Sequence, residues 1–207
     1  RFNWLLSRDS KETPYLLKYN LVDHVTHIII TAHFSDHLDE ESLHFFNKKI
    51  PIYTTLEASK ALIKLGFTNV NVVKANNTYE ISSFSLKIFK AGKPYNTTTF
   101  SYLLCDSRSK VFHEPHMFNT KVEINDVDAC IVTVDMVKVL GLVQVSMNLN
   151  QAKLAKAQLN AKYFIPTGIA PKQTKGLISL LLSIKESYKQ INLMPSSCRK
   201  VGDSLCL

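Results

Sequence analysis

Thr31-Ala32-His33-Phe34-Ser35-Asp36-His37 is the stretch of sequence that decides the fold. It follows an apolar, β-branched run at 25–30 and precedes an acidic segment at 38–43. Such a run is typical of a buried strand, and acidic residues suit the first turn of a helix. His and Asp side chains at the end of a buried strand are a common arrangement for holding a metal ion.

This stretch resembles the T-H-x-H-x-D-H signature of the metallo-β-lactamase fold. Asp36 and His37 match the signature, and His33 falls where the signature accepts any residue. Ala32 and Phe34 stand at its two remaining histidine positions. The resemblance therefore implies the fold, while two of the side chains that bind metal in the family are missing.

Three later segments resemble a lactonase-like branch of the same family, found in plant and cyanobacterial hydrolase-like proteins. Residues 112–118 resemble its Y-Y-E-P-H-x-x-Y/F stretch, and residues 126–134 resemble its A-D-I-V-I-T-P-V strand. Residues 150–167 resemble a helix and strand that end in Pro-Thr, after which metal-binding members have histidine; here the residue is Gly168. The resemblance covers roughly residues 20–185 in a consistent order.

The order of strand-like and helix-like runs predicts a layered domain of the α/β or α+β class. Together with the resemblance, it implies an αββα sandwich of two mostly antiparallel or mixed sheets with helices outside. We expect a single domain over residues 1–207, with a shortened N-terminal hairpin. Predicted strands are 26–32, 50–54, 69–73, 79–81, 84–90, 99–105, 109–113, 128–134 and 162–166. Predicted helices are 13–19, 39–47, 56–65, 150–159 and 174–189.

Capping residues and apolar periodicity support three of these helices. Thr55 suits the N-cap of helix 56–65, which ends at Gly66. Asn150 suits the N-cap of helix 150–159. The dense apolar content after Thr174 predicts a helix that packs on a sheet.

The resemblance implies a set of candidate site residues. A catalytic zinc usually has three protein ligands and a water, and the matching positions offer Asp36, His37 and Glu114. His33, His113 or His116 would add a ligand only if the backbone turned it inward. Asp36 and Glu114 are the candidate catalytic residues, with Glu114 as a ligand or a general base.

Each candidate also has a structural interpretation. Asp36 at a strand-to-helix turn can accept backbone N–H bonds and orient His37. Glu114 and His116 can serve structure alone, and strand alternation turns His33 away from Ala32 and Phe34. Phe34 either fills the former metal cavity or lines a cleft for an apolar or aromatic ligand.

The sequence is compatible with three functions. The first is a metallo-β-lactamase-fold protein of hydrolase ancestry whose degraded metal site leaves it weak or inactive, so that it binds a small molecule in the former metal pocket. The second is an active hydrolase of a small ester, lactone or phosphorylated metabolite that uses one zinc or manganese ion. The third and weakest is a nucleic-acid-binding protein. The implied cofactor is thus either none or one such ion.

Composition limits the partners and the compartment. The chain has 207 residues, 45% hydrophobic content and a net charge of +8, with dispersed lysines rather than one basic run. Dispersed lysines suit a solvated surface, so we expect no nucleic-acid partner. No apolar run reaches the roughly 18–20 residues that span a bilayer, so we also expect no membrane partner. Four widely spaced cysteines without a CxxC pair favour a reducing, cytoplasmic setting, although organelle import is an alternative.

Overall fold

Four β-sheets and four α-helices make up the fold in the computed structural model, which describes residues 7–8, 15–95, 98–168, 174–185, 187 and 205–207. The α-helices are α1 (Tyr15–Lys18), α2 (Glu40–Leu43), α3 (Leu56–Lys64) and α4 (Leu149–Gln158). The strands are β1 (Ser7–Arg8), β2 (Ile28–Ile30), β3 (Ile52–Thr54), β4 (Val70–Val72), β5 (Thr78–Ile81), β6 (Phe84–Lys90), β7 (Phe100–Cys105), β8 (Lys110–Glu114), β9 (Ala129–Thr133), β10 (Met136–Val139), β11 (Val143–Gln144), β12 (Tyr163–Thr167), β13 (Thr174–Lys175) and β14 (Leu182–Lys185).

Two sheets form the centre of the molecule. A three-stranded parallel sheet has the order β2-β3-β4. A six-stranded mixed sheet has the order β12-β9-β8-β7-β6-β5, with β8, β9 and β12 parallel and the remaining pairs antiparallel. A smaller antiparallel sheet, β11-β10-β14, and the pair β1-β13 complete the strand pairing of the described residues.

The two central sheets pack face to face, and each carries one helix on its outer face. Apolar side chains from both sheets meet between them: Ile29, Tyr53, Ile81, Leu86, Ile88 and Phe100. Helix α3 packs Ala58 and Leu62 against the outer face of the parallel sheet. Helix α4 packs Leu149 and Ala152 against the outer face of the mixed sheet. The predicted helix–sheet–sheet–helix architecture is confirmed.

Most predicted elements lie within two residues of the observed ones, and the N-cap of α3 is confirmed. The Thr55 side chain accepts the Ala58 N–H at 3.2 Å. Gly66 follows the helix with φ +87°, a left-handed conformation that glycine adopts without steric cost. The helix predicted at 13–19 is described over Tyr15–Lys18, so it ends one residue earlier than predicted. Residues 13 and 14 lie outside the described part.

The helix predicted at 174–189 is wrong over the residues that the structure describes. Thr174–Lys175 is a strand, Leu177–Leu181 is a 3₁₀ helix, and Leu182–Lys185 is strand β14. Leu182 and Ile184 alternate with the more exposed Ser183 and Lys185, which is the period of a strand. Strand β10, which the sequence reading missed, supplies the backbone partner for all four residues.

The N-cap predicted for α4 is two residues too late. The helix begins at Leu149, and the side chain of Asn148 accepts the Gln151 N–H at 2.9 Å. The Gln151 side chain accepts the Asn148 N–H in return, which completes a capping box. Asn150 is an exposed residue of the first helical turn.

Replacing Asn148 with alanine therefore destabilises the protein by about 1 kcal/mol, because the Gln151 N–H at the start of α4 loses its partner. The matched control is Asn150→Ala, which leaves the unfolding free energy unchanged or slightly higher, since alanine is the better helix former. Urea unfolding followed by circular dichroism measures both. Equal losses in the two variants would contradict the observed cap.

Candidate functional site

The loops that follow β2 and β8 meet at one end of the two packed sheets. The β2 loop contains Asp36 and His37, and the β8 loop contains His116. The imidazole rings of His37 and His116 lie with their centroids 4.5 Å apart. The fold thus brings together side chains that are 79 positions apart in the sequence.

His37 is held by two neighbours of its own loop. Its Nδ1 lies 2.7 Å from the Thr31 hydroxyl, and its Nε2 lies 3.7 Å from Oδ2 of Asp36. The imidazole is 11% exposed, whereas the Asp36 side chain is 71% exposed. Burial lowers the pKa of His37, and the Asp36 carboxylate opposes that change. His37 is therefore a fixed, buried ring, with Asp36 at its solvent side.

Four aromatic rings close this end of the molecule, and we call Phe34, His37, Tyr95 and His116 the ring cluster. Tyr95 stacks on His116 with centroids 4.3 Å apart and planes 19° apart. Phe34 lies edge-on to the other three rings at 6.0–6.4 Å. These separations are the usual ones for attractive aromatic contacts, so the rings pack against one another as a unit.

The histidines of the β8 segment are buried and held neutral. Burial lowers the pKa of His113 and of His116 to about 4, and the nearby His37 imidazole acts in the same direction on both. His113 also contacts the Tyr102 ring, with centroids 5.2 Å apart. Nδ1 of His113 and Nε2 of His116 are buried without a hydrogen-bond partner. Such atoms are costly in a native interior unless something binds them.

Glu114 is fully buried at the end of β8. Its Oε1 accepts the backbone N–H of His116 at 2.9 Å and of Met117 at 3.2 Å, which ties down the turn that follows the strand. Burial raises the pKa of Glu114 to about 8; these two N–H groups, and a weaker influence of the Ser101 hydroxyl, oppose the rise. Oε2 of Glu114 and the Ser101 hydroxyl lie beyond ordinary hydrogen-bond length of any partner.

The remaining predicted positions differ in what they contribute. His33 is exposed and contacts Phe34 with the two rings tilted by 43° and their centroids 4.5 Å apart. Ala32 is fully buried and carries no donor. Gly168 has φ +65°, and a Cβ placed there would lie 3.2 Å from Cγ2 of Thr133.

The donor atoms do not fit a two-metal centre. Within the part of the chain that the structure describes, no three or more His, Cys, Asp or Glu side chains are grouped so that they could hold an ion. Oε1 of Glu114 and Nδ1 of His37 are already engaged in hydrogen bonds. Phe34 lies beside His37 and His116, 6.4 Å and 6.1 Å from their rings, and it has no atom that could bind a metal. Asp36 and His37 are adjacent, but Glu114 serves the backbone of its own turn.

Solved structures with the same arrangement of sheets and helices identify the fold. A metallo-β-lactamase fold protein from Bacillus subtilis, YhfI, superposes with a TM-score of 0.58 over 76% of this chain and 72% of its own, at 15% identity. This chain has the metallo-β-lactamase fold. A possible metal-dependent hydrolase from Veillonella parvula superposes with a TM-score of 0.59 over 77% of this chain and 67% of its own, also at 15% identity.

A third solved structure that superposes on this chain is that of a diiron enzyme. The β-hydroxylase CmlA from Streptomyces venezuelae superposes with a TM-score of 0.55 at 16% identity, over 71% of this chain and 36% of its own. Comparison of the sequence with protein-family models gives no match. Comparison with curated proteins gives none either. None of the helices in the described residues has the length and apolar character needed to cross a bilayer.

Sequence reasoning missed Thr31 and Tyr95, which contact His37 and His116. The Thr31 hydroxyl follows β2 directly and is the partner of His37, so its position next to the motif was a usable signal. Tyr95 lies in the loop between β6 and β7 and carries no motif. Burial raises its pKa to about 12, so the phenol stays neutral in the ring cluster.

These pKa shifts predict a pH optimum of stability near pH 6.5. The folded state binds fewer protons than the unfolded state at His113 and His116 between about pH 4 and 6.5, so stability rises with pH there. It binds more protons at Glu114 between about pH 4.5 and 8, so that group lowers stability as pH rises. Above pH 6.5 the Glu114 effect is the largest among these groups, and we expect a net loss of about 1 kcal/mol by pH 8.

Glu114→Gln abolishes the loss between pH 6.5 and 8, because an amide keeps the two backbone hydrogen bonds and does not ionise. Chemical denaturation at a series of pH values measures it. The control is Glu123→Gln, which removes an exposed carboxylate and retains the wild-type pH profile. A wild-type profile that is flat over this range would contradict the buried, neutral state of Glu114.

Proposed function

We propose that this protein is a binding module on the metallo-β-lactamase fold, with hydrolase ancestry and weak or no hydrolytic activity of its own. The ring cluster is the observation that carries the proposal. It stands where the β2 and β8 loops meet, and the rings of Phe34 and Tyr95 pack against the two histidines where the family resemblance implies metal ligands. The neighbours described as a metal-dependent hydrolase and a diiron enzyme support the ancestry.

Ring geometry supports a role for Phe34 in this proposal. Two imidazoles on one tetrahedral ion have centroids roughly 5 Å apart, by simple trigonometry on the usual metal–nitrogen distances. The His37 and His116 rings, at 4.5 Å, are close to that separation. Phe34 lies 6.4 Å from His37 and 6.1 Å from His116, somewhat farther than that separation, and it has no donor atom.

The outer side of the ring cluster suits a small organic cation. Phe34 and Tyr95 are half-buried rings, and the Asp36 carboxylate beside them is largely exposed. Aromatic faces next to a carboxylate attract positive charge through the ring quadrupole and through direct Coulomb attraction. We therefore propose an amine-containing small molecule as the ligand.

Phe34→His tests the role of the ring cluster by supplying the missing donor. With zinc, we expect the variant to bind about one ion per chain through residue 34, His37 and His116 or Asp36. At a zinc concentration a hundred times Kd, binding raises the unfolding free energy by about 2.7 kcal/mol. Metal analysis by mass spectrometry, together with thermal unfolding with zinc and with EDTA, measures both effects.

Phe34→Leu is the matched control, because it also removes the aromatic ring but adds no donor. It should bind no zinc and should unfold at the same temperature with and without EDTA. If wild-type protein, purified without a tag, carried about one ion per chain and was destabilised by EDTA, the binding-module proposal would fail.

The second candidate is a hydrolase that uses one zinc or manganese ion at Asp36, His37 and Glu114. The unpartnered Nε2 of His116 and Oε2 of Glu114 favour it, because buried polar atoms without partners are typical of an interior that receives a ligand. Such an ion lowers the pKa of a bound water when present. Asp36 and His37 would hold the ion from the solvent side of the ring cluster.

For this candidate, Asp36→Ala and His37→Ala each abolish metal binding in wild-type background, as measured by metal content and by the thermal shift with zinc or manganese. The control is His33→Ala, which removes an exposed imidazole outside the cluster. Unchanged metal affinity in both site variants would eliminate the one-ion mechanism.

A further inference from the structure

Six apolar side chains at one end of the small sheet β11-β10-β14 are exposed to solvent. We call them the leucine patch, and they are Leu140, Leu142, Val143, Leu177, Leu180 and Leu181. Leu142 is 83% exposed and Leu180 is 80% exposed. Contiguous exposed apolar patches of this kind mark interaction sites in proteins.

The patch is one continuous feature, although its residues come from two separate segments. The turn between β10 and β11 carries Leu140 and Leu142, β11 begins with Val143, and the 3₁₀ helix Leu177–Leu181 carries the others. The Leu140 N–H donates to the Leu181 carbonyl at 2.7 Å. Next to that bond, Val139 of β10 pairs with Leu182 of β14. Backbone hydrogen bonds therefore hold the two sets of leucines side by side.

The stretch of sequence that contains the patch has charges of one sign. Residues 136–185 contain no Asp or Glu, and they contain seven lysines: Lys138, Lys153, Lys156, Lys162, Lys172, Lys175 and Lys185. Lys138 lies on β10 and the exposed Lys185 on β14, the two strands that lead to the patch. The whole chain carries a net charge of +8.

We propose that the leucine patch inserts into the interface of an anionic lipid membrane, with the lysines of β10 and β14 against the lipid headgroups. Protruding leucines next to lysines combine the two contributions to interfacial binding, buried apolar area and attraction to anionic lipid. A second copy of this chain would bring positively charged surfaces together, which opposes pairing through this face. The proposal departs from the sequence-based expectation of no membrane partner.

Flotation of the full chain with lipid vesicles tests the proposal. One set of vesicles contains phosphatidylcholine alone, and the other contains phosphatidylcholine and phosphatidylglycerol at 3:1. We expect binding to the anionic vesicles that weakens as salt rises, since screening shortens the reach of the lysines. The double variant Leu142→Ser/Leu180→Ser should reduce the partition coefficient about tenfold or more, because two leucines lose their transfer free energy.

The matched control is Ile63→Ser. Ile63 is an exposed apolar residue of α3, which packs on the outer face of the parallel sheet β2-β3-β4. It should bind vesicles as the wild type does. Lys138→Gln/Lys185→Gln tests the charge and should reduce binding to anionic vesicles only. Circular dichroism and thermal unfolding confirm that each variant is folded.

Three results would overturn the proposal. One is wild-type protein that does not float with anionic vesicles. Another is equal flotation of the wild type and the folded patch variant. The last is a dimer in solution that Leu142→Ser/Leu180→Ser dissociates, without vesicle binding, which would assign the patch to a second copy of the chain.

Discussion

Face-to-face packing of the two central sheets is the constraint on which the rest of the structure depends. Once Ile29 and Tyr53 of the parallel sheet pack against Leu86, Ile88 and Phe100 of the mixed sheet, the ends of β2 and β8 lie together. The polar loops that leave those ends must then share one small volume. His37 and His116 are consequently close to one another and mostly buried, and burial lowers the pKa of both whether or not they bind a ligand.

The fold was predictable from the sequence because its signals are local. The apolar run before Thr31 forms a strand, and α3 begins after Thr55 and ends before Gly66. The motifs also follow one another along the chain in the order that the layered fold requires. The prediction failed at 174–189 because Leu182–Lys185 becomes a strand only through its pairing with β10, forty-odd residues earlier. Composition alone does not separate a short apolar strand from a buried helix.

The site was predictable in position but not in content. Asp36, His37 and His116 do lie at the end where the motifs placed them, because the ends of their strands are fixed by the sheets. The stacking of Tyr95 on His116 depends on a loop between β6 and β7 whose path no local pattern encodes. The hydrogen-bond partners of Glu114 were equally hard to predict, because its carboxyl accepts backbone N–H groups and every residue except proline has one.

The backbone at Gly168 has a consequence for how this site could change over evolutionary time. A left-handed conformation costs an ordinary L-residue about 1–2 kcal/mol, and here the methyl of Thr133 also leaves little room for a side chain. A histidine at this position would therefore be disfavoured by the backbone conformation and by the Thr133 methyl. Phe34 is not among the residues with positive φ, so a histidine at position 34 meets no such backbone cost and a donor is more easily added in the loop after β2.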